Sequence, residues 1–148
     1  MTAEERDAFL AESPVARVAT LRADGSPDVT PLWFAWVDEA MWLSSLVRSQ
    51  RWANVVRDPR VSAVVDDGEG YAELRGVELI GHAEPVGEQP RAGEPHEVLA
   101  RVEAAYAAKY GVPDGGLWDG RHAWLRLTPA SELSWDHRKI AGLTKDGA

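Results

Sequence analysis

The chain has 148 residues, 45% hydrophobic and 27% charged, with a net charge of −8 and a pI near 5.0. That length suits one domain with a single core, expected over 1–148, and the acidic balance excludes general nucleic-acid binding, which needs a broad basic surface. Cysteine is absent, excluding disulfides, thiolate nucleophiles and cysteine-ligated metals, and no apolar run nears the roughly 18 residues that span a bilayer.

The opening stretch, "MTAEERDAFLAESP", carries acids where a signal peptide carries a basic region and an apolar core, so the expected location is the cytoplasm. Thr2 and Glu5 have capping-box spacing for a short helix that Pro14 ends. "VARVATLR" (15–22) reads as a strand, and Asp24-Gly25 is a hairpin signal. "VTPLWFAWV" (29–37) reads as a strand interrupted at Pro31, which marks an edge or a bulge. Asp38-Glu39 makes the next turn, and "AMWLSSLV" (40–47) returns as a third strand.

A short helix follows, with Trp52, Val55 and Val56 as its buried stripe and Asp58-Pro59 as its stop. "VSAVVDDGEG" gives a strand and a turn. "YAELRGVELIGHAEPV" (71–86) gives a long strand, in which Gly76 and Gly81 predict bulges or close packing. After a Pro- and Gly-containing connection, "HEVLARVEAAYAAKYG" (96–111) is the clearest helix, stopped by Gly111. Val98, Leu99, Val102, Ala105, Tyr106 and Lys109 trace one of its faces. "HAWLRLTP" (122–129) is the last full strand and "SELSWDHRKI" a short terminal one. Hairpin-length turns favour antiparallel pairing, and closure would remove exposed edges, so an α+β domain built on a small barrel is expected.

Machinery for hydrolysis is missing. There is no G-x-S-x-G elbow, no P-loop and no metal spacing among His82, His96, His122 and His137. If the chain is an enzyme, a bound cofactor carries the chemistry. The segment "LVRSQRWANVVRDPR" (46–60) stands out, because it concentrates arginines in an acidic chain. Arg48, Ser49 and Arg51 cluster at a helix N-terminus, where unpaired N–H groups and the dipole favour an anion, and Asn54 follows one turn on. Guanidinium forks match phosphate oxygens. Charge counting leaves a phosphate site and a solvated helix face both open. Arg57 and Arg60 read as structural.

"DGSPDVTPLWF", "ANVVRDPRVS", "LRGVELIGHAE" and "SWDHRK" occur in an order and at a spacing similar to those of the flavin/deazaflavin oxidoreductases related to pyridoxamine 5'-phosphate oxidase. The chain most resembles their F420-dependent subgroup. The resemblance covers 15–84 and 122–140. It implies a six-stranded antiparallel split β-barrel with flanking helices, dimerising with cofactor pockets at the interface. It also implies hydride transfer between reduced F420 and a small unsaturated or heteroaromatic substrate, with FMN as the alternative cofactor. The cofactor phosphate would lie on Arg48, Ser49, Arg51 and Asn54. The ring would lie against Val29, Thr30, Pro31, Leu32 and Trp33, with Ser44 and Ser45 across from it. Trp135, His137, Arg138 and Lys139 would reach a pocket, that of the neighbouring subunit, although interface packing explains Trp135 equally. A non-enzymatic cofactor- or haem-binding relative, with His82, His122 or His137 as axial ligand, is the alternative class.

Overall fold

The computed structural model describes residues 1–140. Helix α1 (Ala3–Glu12) starts with the expected capping box: Thr2 accepts from the Glu5 N–H and Glu5 from the Thr2 N–H. Strands β1 (Ala16–Leu21) and β2 (Pro27–Leu32) form the expected hairpin, with Gly25 at φ 84° in its turn. Strands β3 (Phe34–Val37) and β4 (Ala40–Leu46) form a second, whose turn places Asp38 and Glu39 in the left-handed region. Helix α2 (Gln50–Arg57), β5 (Arg60–Asp67), a 3₁₀ turn (Tyr71–Glu73), β6 (Arg75–Val86), α3 (Glu97–Tyr110) and β7 (His122–Asp136) follow.

The seven strands among the described residues belong to one antiparallel sheet in the order β2-β1-β5-β6-β7-β4-β3. Its two end strands, β2 and β3, are separated in the chain by Trp33 alone. The sheet therefore curls until its ends meet, which makes the split barrel of an α+β fold. The count is seven rather than six because the run 29–37 breaks at Trp33, not at Pro31. Pro31 pairs with Arg17 without a bulge, and β2 is an end strand, so its missing N–H leaves no ladder partner unsatisfied. Residues 71–73 are a 3₁₀ turn, not strand, and 122–136 form one continuous strand rather than two.

The barrel interior is filled by Val18, Phe34, Met41, Leu43, Val61, Val65, Leu79, Leu125 and Leu127, closed by Leu10 of α1 and by Trp52 and Val55 of α2. Val56 is 61% exposed, so the third inward position of α2 is Asn54. A second apolar layer joins Leu99, Val102 and Tyr106 of α3 to Trp42 and Trp124 of β4 and β7, while Ala105 faces solvent. Both strand glycines mark close approaches. A Cβ at Gly81 would lie 2.0 Å from the Thr128 carbonyl oxygen, where the β6–β7 register shifts, and one at Gly76 2.1 Å from the Trp135 ring.

Lys109 ties α3 to two other elements. Its Nζ donates to the Leu10 and Phe34 carbonyls (3.1 and 3.2 Å) and lies 3.7 Å from the Phe34 ring centre. Burial pushes its pKa down from 10.5 to about 8. A depressed lysine pKa contributes stability that is complete above 10.5 and lost as pH falls through about 8. Urea unfolding is therefore expected to show wild type gaining stability relative to Lys109→Met between pH 8 and 10.5.

Candidate functional site

Where the ends of the curled sheet meet, a cleft of about 470 Å³ opens, lined by Val15, Pro31, Leu32, Trp33, Ser44, Tyr106 and His122. Trp33, having left the ladder between β2 and β3, is half exposed and stacks on Tyr110 with ring centres 4.4 Å apart and planes 3° from parallel. The Tyr110 hydroxyl donates to the Pro14 carbonyl and accepts from the Phe34 N–H, so that stack is held rigidly. It gives the cleft an aromatic wall suited to a flat ring. Tyr106 is buried, with its pKa pushed up to about 12 by burial and by neighbouring Tyr110, against the hydrogen bond from Ser44.

The arginine segment adjoins this cleft. Arg51 donates from Nε to Ser45 Oγ (3.2 Å) and from Nη1 to Thr30 Oγ1 (2.6 Å). Thr30 and Ser45 adjoin Pro31 and Ser44, which line the cleft, but alternation turns them to the inner face, so Arg51 bridges the two sheet ends from the barrel side. Burial lowers the Arg51 pKa and nearby Asp28 opposes that, leaving a cation at neutral pH. Its direct partners are neutral hydroxyls, so its charge is not cancelled. Arg48 is exposed in the turn before α2. Among the described residues, Arg48, Arg51 and Arg57 are the arginines without a carboxylate within 4.0 Å; the others all form salt bridges. Arg57 is committed to the Leu21 carbonyl. Among the described residues, positive charge without a carboxylate partner thus collects at the head of α2, at Arg48 and Arg51.

A hollow of similar size, about 480 Å³, lies between α1 and the start of β6. Its Arg17 and Arg75 are paired with Asp66 and Asp67, so it offers an anion no uncompensated charge.

Two members of the proposed phosphate set are otherwise engaged. Ser49 is the N-cap of α2: its hydroxyl accepts from the Trp52 N–H (3.1 Å) and donates to the Leu46 carbonyl (2.8 Å). It has no proton left for an anion. Asn54 is fully buried, donating to Thr20 Oγ1 (3.0 Å) and accepting from Gln50 Nε2 (2.8 Å). It fastens α2 to β1 and does not face the cleft, because the inward side of an eight-residue helix had to be completed by a polar group. Val29 shares the outer face of β2 with Pro31 but is not among the residues lining the cleft, and is 65% exposed.

The C-terminal group is not brought to the cleft within one protomer. Trp135 packs on Gly76, His137 Nδ1 lies 2.8 Å from the Tyr71 carbonyl, Arg138 pairs with Asp136 and Lys139 with Glu5. His122 and Asp136 are the two ends of β7, whose 15 residues span up to about 46 Å at ~3.3 Å per residue. His82 is exposed on β6, and His96 caps α3 through Nδ1 to the Leu99 N–H. Sequence reasoning did not single out Tyr106 and Tyr110 for the cleft. On a helical pattern they read as core, and only the curl of the sheet turns them toward Trp33.

The family model described as pyridoxamine 5'-phosphate oxidase matches residues 2–136. None of the curated proteins compared with the chain matches it. Among solved structures, the conserved hypothetical protein Rv2991 from Mycobacterium tuberculosis is similar at 34% identity and a TM-score of 0.81, over 95% of this chain and 88% of that one. HutZ, a haem storage protein from Vibrio cholerae, shares the fold at 20% identity and a TM-score of 0.72, over 88% and 92% of the two chains. An F420 reductase does so at 21% identity and a TM-score of 0.66, over 86% and 94%.

Proposed function

Because the chain belongs to the pyridoxamine 5'-phosphate oxidase family, we propose that it is an oxidoreductase using a phosphate-bearing tricyclic cofactor, F420, with FMN as the alternative. The observation that carries this reading is the pair of uncompensated guanidiniums, Arg48 and Arg51, beside an aromatic-walled cleft. Arg51 and Arg48 hold the phosphate, and the main-chain N–H groups at the start of α2 complete its ligands. Trp33 on Tyr110 supports the ring, with Leu32 and Pro31 along its edge and the Ser44 hydroxyl available to a ring heteroatom. When bound, such a cofactor exchanges a hydride with a small unsaturated or heteroaromatic substrate. The cleft sets which ring face the substrate meets.

The working form is a homodimer. Val29, Ala19, Ser62 and Ile80 lie side by side across β2-β1-β5-β6, a largely apolar row on the outer sheet face that no helix among the described residues covers. Val29, Ile80 and Leu133 are 65%, 47% and 62% exposed there. A second copy on this face covers them and lets Trp135, His137, Arg138 and Lys139 of one protomer approach the cleft of its partner. No helix among the described residues is long and apolar enough to cross a membrane, and we place the enzyme in the cytoplasm.

Haem binding is the second reading. It has one specific support, since His122, unlike His82 and His137, lines the cleft. Titration of purified protein with F420, FMN and haemin separates these readings. F420 fluorescence quenched at the lowest concentration supports the first cofactor, FMN quenching the alternative, and a Soret band alone overturns the redox reading.

A further inference from the structure

We propose that His122 is the proton donor of the cleft and that Asp119 fixes the ring in its working tautomer; this rests on the redox reading above. Hydride delivery to a double bond leaves one atom needing a proton, which a side chain standing in the cleft can supply in place of water. Among the cleft residues only His122 and Tyr106 can exchange a proton. Tyr106 is held as a neutral phenol, hydrogen-bonded to Ser44, whereas His122 Nε2 has no hydrogen-bond partner among the described residues.

The placement of His122 is built, not incidental. Asp119 Oδ1 accepts the backbone N–H groups of Arg121 (2.9 Å) and His122 (2.8 Å), and the turn passes through Gly120 at φ 74°. That turn delivers His122 as the first residue of β7, paired with Leu46 of β4. From the other side the Arg91 N–H donates to the His122 carbonyl (2.9 Å), so the backbone is held twice. The second carboxylate oxygen, Asp119 Oδ2, meets His122 Nδ1 at 2.5 Å. Burial would raise the Asp119 pKa, but the two N–H groups and the ring hold it down at about 2. An ionised carboxylate only accepts, so Nδ1 carries its proton toward Asp119 and Nε2 becomes the nitrogen that gains and loses one. Nε2 has no hydrogen-bond partner among the described residues. The charged and titratable groups around the ring are Asp119 and Arg121 of its own loop and Tyr106 of α3, with the Ser44 hydroxyl on β4.

The step balances. One atom of the substrate double bond receives a hydride, with its electron pair, from the reduced cofactor, which leaves oxidised. The other atom takes a proton from Nε2. The Nε2–H bond breaks, the imidazolium becomes the neutral Nδ1–H ring, and solvent water restores the proton. The substrate class is therefore one whose second atom becomes basic as hydride arrives, such as an α,β-unsaturated ketone.

The test uses the full-length protein, reduced F420 and cyclohex-2-enone as probe. Nitrogen-15 spectra of the histidine rings in cofactor-free protein should show neutral His122 as the Nδ1–H tautomer, and Asp119→Asn should shift it toward Nε2–H. His122→Gln should bind F420 with an unchanged titration curve yet oxidise reduced F420 with the probe about a hundredfold more slowly. Its kcat should fall far more than its KM changes, as expected for loss of a proton donor rather than of binding. If His122→Gln keeps the wild-type rate, the donor role is overturned and the redox reading stands. A wild type that binds neither F420 nor FMN overturns both. An Nε2–H tautomer in wild type overturns the role of Asp119, and a haemin Soret band lost in His122→Gln makes the ring a ligand instead.

Discussion

Arg51→Ala is expected to weaken binding of F420 or FMN at least tenfold, about 1.4 kcal/mol, and Arg48→Ala/Arg51→Ala about a hundredfold. The reason is charge without a counter-ion. Arg51 is held by Ser45 and Thr30, which fix its position and leave its charge for a ligand. Charge-assisted bonds to phosphate are about twice as strong as neutral ones. Arg57→Ala is the internal control, since that side chain is spent on the Leu21 carbonyl, and its titration curve should not move. Riboflavin, which lacks the phosphate, should bind wild type and Arg51→Ala alike by fluorescence quenching. If riboflavin and FMN lose affinity equally, Arg51 supports the fold of the cleft and not an anion. Ser49→Ala tests something else: it removes the α2 cap and is expected to cost about 1 kcal/mol of stability.

Arg91→Met is expected to lower unfolding stability by about 3–5 kcal/mol in urea denaturation. Arg91 is 4% exposed and donates to Glu103 at 2.9 and 3.1 Å, to Glu88 at 2.6 Å and to the Glu94 carbonyl at 2.7 Å. Glu103 also accepts the indole N–H groups of Trp118 and Trp124. One guanidinium thus joins the loop after β6 to α3, and its removal strands two carboxylates in a poorly solvated place. Arg91→Met/Glu103→Leu should recover part of the loss, because the carboxylate goes with its partner. The site should survive in the double variant, since the Arg91 contact with His122 is through the backbone.

Much of the local structure was legible because its causes are local. The Thr2/Glu5 cap, the Asp24-Gly25 hairpin and the Gly111 stop depend on a few adjacent residues, and each formed where its residues predicted. Gly76 and Gly81 also announced close approaches, but only the paired strand could say to what. Features set by the curl of the sheet were not legible. Pro31 looked like the break in 29–37, yet the chain leaves the ladder at Trp33, where it must cross from one end of the sheet to the other. Asn54 carried a ligand's chemistry and a core residue's position, which helical spacing alone does not separate. The Asp119–His122 pair was spaced as a turn, and its meaning depends on what β4 and α3 bring opposite it.

The strand order also dictates when this chain can fold. Before β7 arrives, β2-β1-β5-β6 and β4-β3 are two unconnected ribbons, and β7 alone joins them by pairing with β6 on one side and β4 on the other. Its partners on β4 lie some eighty positions earlier in the chain, so loop-closure entropy is spent before those contacts repay it. A nascent chain therefore has no barrel until Asp136 has left the ribosome. Barrel closure is thus the step in which β7 acts as keystone, and the cleft, with His122 at its rim, comes into being with it.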